Sequence, residues 1–330
     1  WWTRSSSRAA VGVSSHELFH AWNIKAIRPA EMLPYDFTKE NYSRLGYVCE
    51  GLTTYYGDYL LYRSTVFTAD EYWHTFAERL QKHFDNPGRY SLSVADSSFE
   101  TWLDGYVPGV PGRKTSIYDE GCLLAFVTDI LIRKSTNNDC SLDDVMRLLY
   151  TEFAQQGRGY TESDYKALLE RVSGADFTNL FEQYINQPSD YTPILTEALD
   201  YIGFKLVSYP SIRPNENLFG FKVAELAGIT KVTAVYPGSP AELAGLAPND
   251  EIIAINGMPV KIDLADWMRY FGKVKTELLV FSAGRTQIMI LLPGNKTFYG
   301  QYKTEKSTEI SPSQQAAWEK WCGKRGEVSF

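Results

Sequence analysis

Apolar positions recur every three or four residues over the first two hundred residues of this chain. The spacing is clearest over residues 55–62 and 123–131, and it places apolar side chains on one face of an α-helix. Thr68 and Ser141 each precede acidic residues, as is typical of a capped helix start. Between them, residues 86–112 are rich in Gly, Pro, Ser and Asp. We therefore predict a mainly helical segment with one long irregular stretch, a feature that is often functional.

The pattern changes beyond residue 201, where short β-rich runs alternate with Gly and Pro. Residues 187–193 contain two prolines and form a plausible boundary. Near the end of the chain, Ser311 and Pro312 predict the start of a short helix that docks its Trp residues. The predicted fold class is α+β with two domains: a helical domain over 1–195, a small β-rich domain over 196–300, and a helical tail over 301–330.

Composition narrows the class of protein. The 330 residues are 44% hydrophobic and 22% charged, which is typical of a folded globular protein. A net charge of −7 without a basic cluster excludes nucleic acid as the expected partner. The four cysteines form no CxxC pair, and no apolar run is long enough for a membrane span. The start of the chain is not a secretory signal, so the compartment stays open, with the cytoplasm favoured.

Candidate chemistry lies near the start of the chain, in the run His16-Glu17-Leu18-Phe19-His20. Histidines four residues apart lie on one face of a helix, so both imidazoles can bind one metal ion. We predict one Zn²⁺ per chain, with a third protein ligand and an open position for water. Glu17 would be the general base that accepts a proton from the zinc-bound water as it attacks a carbonyl carbon.

The third ligand is expected to be a carboxylate or His from a later helix, because the short downstream spacing of the Met-turn peptidases is missing. Glu50 is the best candidate, since it lies thirty residues beyond His20 in a segment otherwise poor in acids. Glu31, Asp36 and Glu40 are alternatives in a loop interrupted by proline.

The run from His16 to Pro29, followed by Glu50-Gly51-Leu52-Thr53-Thr54-Tyr55-Tyr56, resembles the glycyl aminopeptidase family of zinc metallopeptidases. The resemblance implies a thermolysin-like gluzincin domain followed by a PDZ domain. It also implies that His16, His20 and Glu50 bind zinc and that Glu17 is the general base.

A second part of the resemblance concerns the segment 116–121. It is similar to a Tyr-x-Lys-Gly motif whose tyrosine donates a hydrogen bond to the tetrahedral oxyanion, which implies that role for Tyr118. This chain departs from the motif with Glu120 in place of the lysine. Family members also carry a Gly- and Glu-containing segment upstream that binds the substrate amine, and this chain begins after that point. We therefore expect an N-terminally truncated domain.

The later domain carries its own motif. The segment Leu218-Phe219-Gly220-Phe221 and the runs 235–246 and 249–257 resemble a PDZ domain. In such domains the loop aims backbone N–H groups at the carboxylate of a C-terminal peptide, and here a helix near 264–270 would form the other wall of the groove. A purely structural PDZ domain is the alternative.

Three functions follow from these patterns. The first is a zinc-dependent aminopeptidase acting on peptides with N-terminal Gly or Ala. The second is a zinc endopeptidase that recruits substrates through the PDZ domain. The third is a peptide-binding adaptor with an inactive peptidase scaffold. The intact set of His16, Glu17, His20 and Glu50 argues against the adaptor.

Overall fold

The computed structural model describes residues 4–104, 110 and 112–323. These residues form two compact units. The first contains the chain up to residue 207 together with the segment from residue 303 onward, and the second contains residues 208–302. The predicted tail is therefore part of the first unit, and the first boundary falls at residue 207 rather than 195. Residues 324–330 of that tail lie outside the described residues.

The first unit is helical, as the apolar spacing predicted. Its α-helices are α1 (Arg4–Phe19), α2 (Thr53–Arg63), α3 (Ala69–Asp85), α4 (Val94–Phe99), α5 (Thr101–Asp104), α6 (Ile117–Ser135), α7 (Leu142–Leu148), α8 (Glu162–Ser173) and α9 (Thr192–Tyr201). Wider π-helical turns span Tyr47–Leu52, Leu149–Phe153 and Leu180–Ile185, and 3₁₀ turns span Ala30–Met32, Pro87–Tyr90 and Ala154–Gln156.

Two predicted helix starts are confirmed by their caps. Thr68 and Glu71 form a reciprocal capping box at the start of α3, and Ser141 forms one with Asp144 at the start of α7. The stretch 86–112, predicted to be irregular, contains a 3₁₀ turn and the short helices α4 and α5. Polar Ser93 caps α4 by accepting from the backbone N–H of Asp96. Residues 105–109 and 111 of this stretch lie outside the described residues.

Helix α6 is the centre of the first unit, because its side chains are buried along most of its length. It packs against α2, α3, α9 and the turn Tyr47–Leu52. Burying apolar side chains on all sides of one helix fixes its neighbours around it. The candidate site residues on α1, the turn and α6 therefore belong to one rigidly packed region.

The second unit is a small antiparallel sheet with short helices. Its elements are α10 (Pro214–Asn217), β2 (Phe221–Leu226), β3 (Ile229–Val235), α11 (Pro240–Leu243), β4 (Glu251–Ile255), β5 (Met258–Pro259), α12 (Leu264–Phe271), β6 (Thr276–Ser282) and β7 (Arg285–Leu291). The strand order is β2-β3-β4-β6-β7, and β5 pairs with β4. Phe219, Phe221, Leu264 and Leu278 are fully buried in its core.

The connecting strands β1 (Phe204–Tyr209) and β8 (Gln301–Lys306) pair with each other. After β8 the chain forms α13 (Pro312–Cys322), whose capping box on Ser311 and first-turn proline confirm the predicted helix start. Among the residues described, none of the helices has both the length and the apolar character needed to span a bilayer.

Candidate metal centre

Two helices carry the candidate ligands. His16 and His20 lie at the end of α1, and Glu50 lies in the π-helical turn that leads into α2. The helices approach closely at Gly57, where a Cβ atom would lie 3.2 Å from the Cα and N atoms of His16. The Ser15 hydroxyl donates a 2.7 Å hydrogen bond to the Gly57 carbonyl at this crossing. A side chain at position 57 would force the helices, and with them the candidate ligands, apart.

Three potential ligand atoms converge where these helices meet. His16 Nε2 lies 3.0 Å from His20 Nε2 and 3.2 Å from Glu50 Oε2, and the His20 Nε2 to Glu50 Oε2 distance is 3.3 Å. Tetrahedral Zn²⁺ with bonds of about 2.0–2.1 Å keeps its ligand atoms about 3.3–3.4 Å apart. The three atoms therefore fit one face of a zinc coordination sphere.

Both imidazoles are oriented by hydrogen bonds at Nδ1. His20 Nδ1 lies 3.1 Å from the Asn23 carbonyl oxygen, which can only accept. His16 Nδ1 lies 3.4 Å from the Thr54 hydroxyl, which donates its own proton to the Glu50 carbonyl at 2.8 Å. Both Nδ1 atoms are therefore donors in the neutral rings, and both Nε2 atoms keep the lone pair that a metal needs.

A strained backbone holds the acceptor for His20. Ile24 has φ = 88°, a conformation that β-branched residues rarely adopt. It is stabilised because its N–H donates to the Ile27 carbonyl at 2.8 Å and its carbonyl accepts from Arg28 Nε at 2.9 Å. The tight turn after α1 thereby directs the Asn23 carbonyl back to His20. Strain of this kind concentrates at functional sites.

The Asn23 side chain links this turn to the segment that carries Glu50. It is fully buried, and its Nδ2 atom lies 2.9 Å and 3.1 Å from the carbonyl oxygens of Val48 and Cys49. These carbonyls lie in the π-helical turn, where the regular α-helical pattern is interrupted. The Thr53 hydroxyl also donates to the Cys49 carbonyl, at 2.7 Å. Asn23 thus fixes the position of the Glu50 backbone relative to His20.

The electrostatics of the cluster favour an ionised carboxylate. Burial raises the pKa of Glu50, but hydrogen bonds from His16 and His20, which their Nε2 atoms donate only when the rings are protonated, outweigh it and lower the pKa to about 2. The hydrogen bond to Glu50 raises the pKa of His20, with burial opposing it. Among the three alternatives, Asp36 accepts from the Thr38 backbone and hydroxyl, and Glu31 lies in the 3₁₀ turn Ala30–Met32. Of the predicted third ligands, Glu50 is the one beside the two imidazoles.

Glu17 lies next to the cluster without being its closest carboxylate. One of its oxygens lies within 4.8 Å of a ring nitrogen of both His16 and His20. Glu50 Oε2 is closer to both rings, at 3.2 and 3.3 Å. Glu17 is exposed, and it lines a pocket of about 400 Å³ together with His16. This position allows a proton transfer with a molecule that occupies the pocket.

Tyr118 lines the same pocket from α6. Its ring centroid lies 6.1 Å from that of His16. This approach depends on a crossing of two glycines, because a Cβ on Gly51 would lie 2.3 Å from the Gly121 Cα. Conversely, a Cβ on Gly121 would lie 2.5 Å from the Tyr47 carbonyl oxygen. The backbones of α6 and the Glu50 turn therefore touch, one helical turn away from Tyr118.

The structure explains why Glu120 stands where the Tyr-x-Lys-Gly motif has a lysine. Glu120 does not line the pocket; it is buried in the core, where its two carboxylate oxygens lie 2.7 and 2.8 Å from His83 Nδ1. A buried carboxylate requires such a partner. A lysine at position 120 would remove the acceptor beside His83 Nδ1 and bury an ammonium group in its place, so the two positions are matched to each other.

Sequence reasoning missed the far wall of the pocket. Arg79 and Lys82 of α3, Asp58 of α2 and Asp119 of α6 line it together with the metal-centre residues. Asp58 was detectable in principle, because Glu50, Thr54 and Asp58 repeat every four residues along one helix face. Arg79 and Lys82 gave no such signal, since charged residues on an amphipathic helix usually face solvent.

In the predicted peptide-binding loop of the second unit, two backbone N–H groups already donate hydrogen bonds to nearby carbonyl groups. Gly220 has φ = 74°, and its N–H donates to the Glu216 carbonyl at 3.2 Å. The Leu218 N–H donates to the Pro214 carbonyl at 2.9 Å, and the side chains of Phe219 and Phe221 are buried in the core. Strand β2 lies at the end of the sheet, and the N–H of Leu264 in α12 donates to Glu225 at its far end.

Known proteins resemble both units. Residues 9–124 match the family model of the M61 glycyl aminopeptidases, and residues 231–280 match that of PDZ domains. An aminopeptidase N family protein from Idiomarina loihiensis aligns with 96% of this chain, with a TM-score of 0.87 and 24% identity. This chain spans 56% of the length of that protein. The likeness shows that the two proteins share a fold.

The PDZ domain of HtrA3 bound to a phage-derived ligand aligns with 28% of this chain and 89% of its own, at 16% identity. Its TM-score of 0.21 is too low to support a structural argument. No curated protein matches the sequence. The family models thus identify a region of M61 glycyl aminopeptidase type over residues 9–124, followed by a region of PDZ type over residues 231–280.

Proposed function

We propose that this protein is a zinc-dependent aminopeptidase that hydrolyses peptides with a small N-terminal residue, Gly or Ala. The observation that carries the proposal is the convergence of His16, His20 and Glu50, whose ligand atoms lie 3.0–3.3 Å apart beside Glu17 and Tyr118. The preference for small N-terminal residues rests on the match to the glycyl aminopeptidase family.

Each residue has a distinct role in this proposal. His16, His20 and Glu50 would hold one Zn²⁺, which would supply a Lewis acid and lower the pKa of water to about 7. Glu17 accepts a proton from the attacking water and later transfers it to the leaving amine. Tyr118 donates a hydrogen bond to the carbonyl oxygen as negative charge develops on it. The pocket positions the peptide carbonyl between Glu17 and Tyr118.

The PDZ domain is proposed as a second peptide-contacting surface. Strand β2 is the terminal strand of the sheet, and α12 is joined to it by the hydrogen bond from Leu264 to Glu225, an arrangement compatible with strand addition. Because the N–H groups of Leu218 and Gly220 already have carbonyl partners, a C-terminal carboxylate would have to compete with those bonds. The proposed peptide contact is therefore pairing along β2, without tight capture of a C-terminal carboxylate by this loop.

The Glu17→Gln variant tests the chemistry. We expect it to keep one zinc per chain by metal analysis while hydrolysis of a Gly-anilide falls about 10²- to 10⁴-fold, because the proton acceptor is lost. Glu50→Ala should instead lose the metal. Exposed Glu197, changed to Gln, is the matched control and should leave both properties unaltered. Zinc-loaded Glu17→Gln protein with full activity would refute the general-base role.

A second experiment distinguishes an aminopeptidase, which needs a free N-terminus on its substrate, from an endopeptidase. The aminopeptidase proposal predicts cleavage of Gly- and Ala-anilides and no cleavage of the same peptides when their N-terminus is acetylated. Hydrolysis of the acetylated peptides alone would establish the endopeptidase instead. A folded protein that binds peptides but holds no zinc would favour the adaptor.

A further inference from the structure

The pocket has a charged wall that faces the metal-centre residues. Arg79 and Lys82 lie three residues apart on α3, so they project from the same side of that helix. Both line the pocket that also contains His16 and Glu17. At about 400 Å³ the pocket lies at the small end of the range for small-ligand sites, so any group bound at this wall lies near the scissile bond.

Arg79 is already neutralised by two carboxylates. Its Nη1 donates to Asp119 Oδ1 at 2.9 Å, and its Nη2 lies 3.5 Å from Asp58 Oδ2. Asp119 is engaged further, because its other oxygen accepts from the Ser116 hydroxyl at 3.0 Å. The side chains of Asp58 and Asp119 are only 11% and 10% exposed. These three residues form a fixed base for the wall, with one positive charge set against two carboxylates.

Lys82 differs from its neighbours in exposure and in spare hydrogen-bonding capacity. Its side chain is 58% exposed, and its Nζ lies 3.6 Å from Asp119 Oδ1. An ammonium group has three donors, and the contact with Asp119 uses at most one of them. Lys82 brings the charge of the wall to balance through this one loose contact, while its exposed ammonium keeps donors for a further partner in the pocket.

We infer that Lys82 binds a carboxylate of the peptide substrate, and so selects substrates with a negative charge close to the scissile bond. The carboxylate has two possible sources with the same chemistry: the C-terminus of a short peptide, or an Asp or Glu side chain. A substrate ammonium fits this wall less well, since the carboxylates that could receive it are bound to Arg79. The inference rests on the proposed peptidase function.

The test compares matched peptides that differ in one charge. Ala-Ala with a free C-terminus is compared with its C-terminal amide, and Ala-Glu-amide with Ala-Gln-amide. We expect the wild-type kcat/KM to favour the charged member of at least one pair roughly three- to tenfold. Lys82→Ala should abolish that ratio and Lys82→Glu should invert it. Lys39→Ala, at a 68% exposed position outside the pocket, should keep the wild-type ratio.

Equilibrium binding separates this inference from the proposed function. The same peptides are titrated into Glu17→Gln protein with and without the Lys82→Ala change, so that affinity is measured without turnover. Tighter binding of the charged peptide, lost with Lys82→Ala, supports the inference even if no peptide is hydrolysed. The inference is overturned if neither pair is discriminated, or if Lys82→Ala leaves the discrimination intact. The pair that responds identifies the source of the carboxylate.

Discussion

At the scale of single residues, the candidate metal centre depends on groups outside the set of candidate ligands. Thr54 and the Asn23 carbonyl accept hydrogen bonds from the Nδ1 atoms of His16 and His20. These bonds select the tautomer in which both Nε2 atoms carry a lone pair. Groups that orient metal ligands in this way typically change metal affinity about 10–100-fold when they are removed.

Tyr118→Phe tests the proposed oxyanion donor. Losing one such donor costs about 10²–10³-fold in kcat, because the hydrogen bond strengthens only as charge develops. We expect that loss in steady-state hydrolysis of a Gly-anilide, with zinc content unchanged and little change in KM. Tyr150→Phe, at a partly exposed position outside the pocket, is the control. Unchanged kcat in Tyr118→Phe would leave this tyrosine with a structural role only.

At the scale of elements, a backbone crossing sets the distance between Tyr118 and Glu50. Gly51 in the π-helical turn and Gly121 in α6 touch backbone to backbone, with no room for a Cβ on either. Neither glycine has a positive φ in the structure, so the close approach is what requires them. A larger residue at either position would separate the oxyanion candidate from the metal ligands.

Gly121→Ala therefore tests the crossing. Its Cβ would lie 2.5 Å from the Tyr47 carbonyl oxygen, so the helices must shift. We expect the free energy of unfolding to fall by about 1–3 kcal/mol, measured by urea denaturation of metal-free protein, together with weaker zinc binding. The control is Gly12→Ala in α1, whose Cβ would meet Asp58 Oδ1 at an ordinary 3.7 Å. Equal stability of the two variants would contradict the role of the crossing.

At the scale of the whole molecule, the chain leaves the helical unit at β1 and returns to it at β8. Helix α13 then packs Trp321 into an aromatic cluster of the first unit, 5.0 Å from the ring of Tyr59 and 6.0 Å from Phe126. The Trp321 indole N–H donates to the Tyr55 hydroxyl at 3.2 Å, and the Tyr59 hydroxyl donates to the Trp321 carbonyl. The last helix is thus part of the core of the first unit.

Trp321→Ala should destabilise the first unit. The side chain is fully buried, and removing a buried Trp costs about 3–5 kcal/mol. We expect the urea midpoint of the helical unit to fall accordingly, while the second unit, whose core is separate, keeps its own transition. Trp102→Ala, at a 47% exposed position, should change the midpoint little. A comparably small effect of Trp321→Ala would mean that α13 adds no stability to this unit.

Part of this architecture could be predicted from interactions between residues that are close in sequence. The four-residue spacing of His16 and His20 placed both imidazoles on one helix face, because helix geometry alone determines it. The helix caps at Thr68 and Ser311 could be predicted for the same reason, because a cap involves residues within one turn. Glu50 could be proposed as a ligand because few other acids were available, although its distance to the imidazoles could not be derived from sequence.

Contacts between residues far apart in the chain were decided by the tertiary structure. The return of the tail to the first unit places Trp321 against Tyr55, 266 positions earlier. The burial of Glu120 against His83 and the charged wall of Arg79, Lys82, Asp58 and Asp119 likewise join separate helices. By itself the sequence determined which chemical groups share a helix face, because that depends on local geometry. Packing alone decided which faces meet, because it depends on the shapes of all the elements at once.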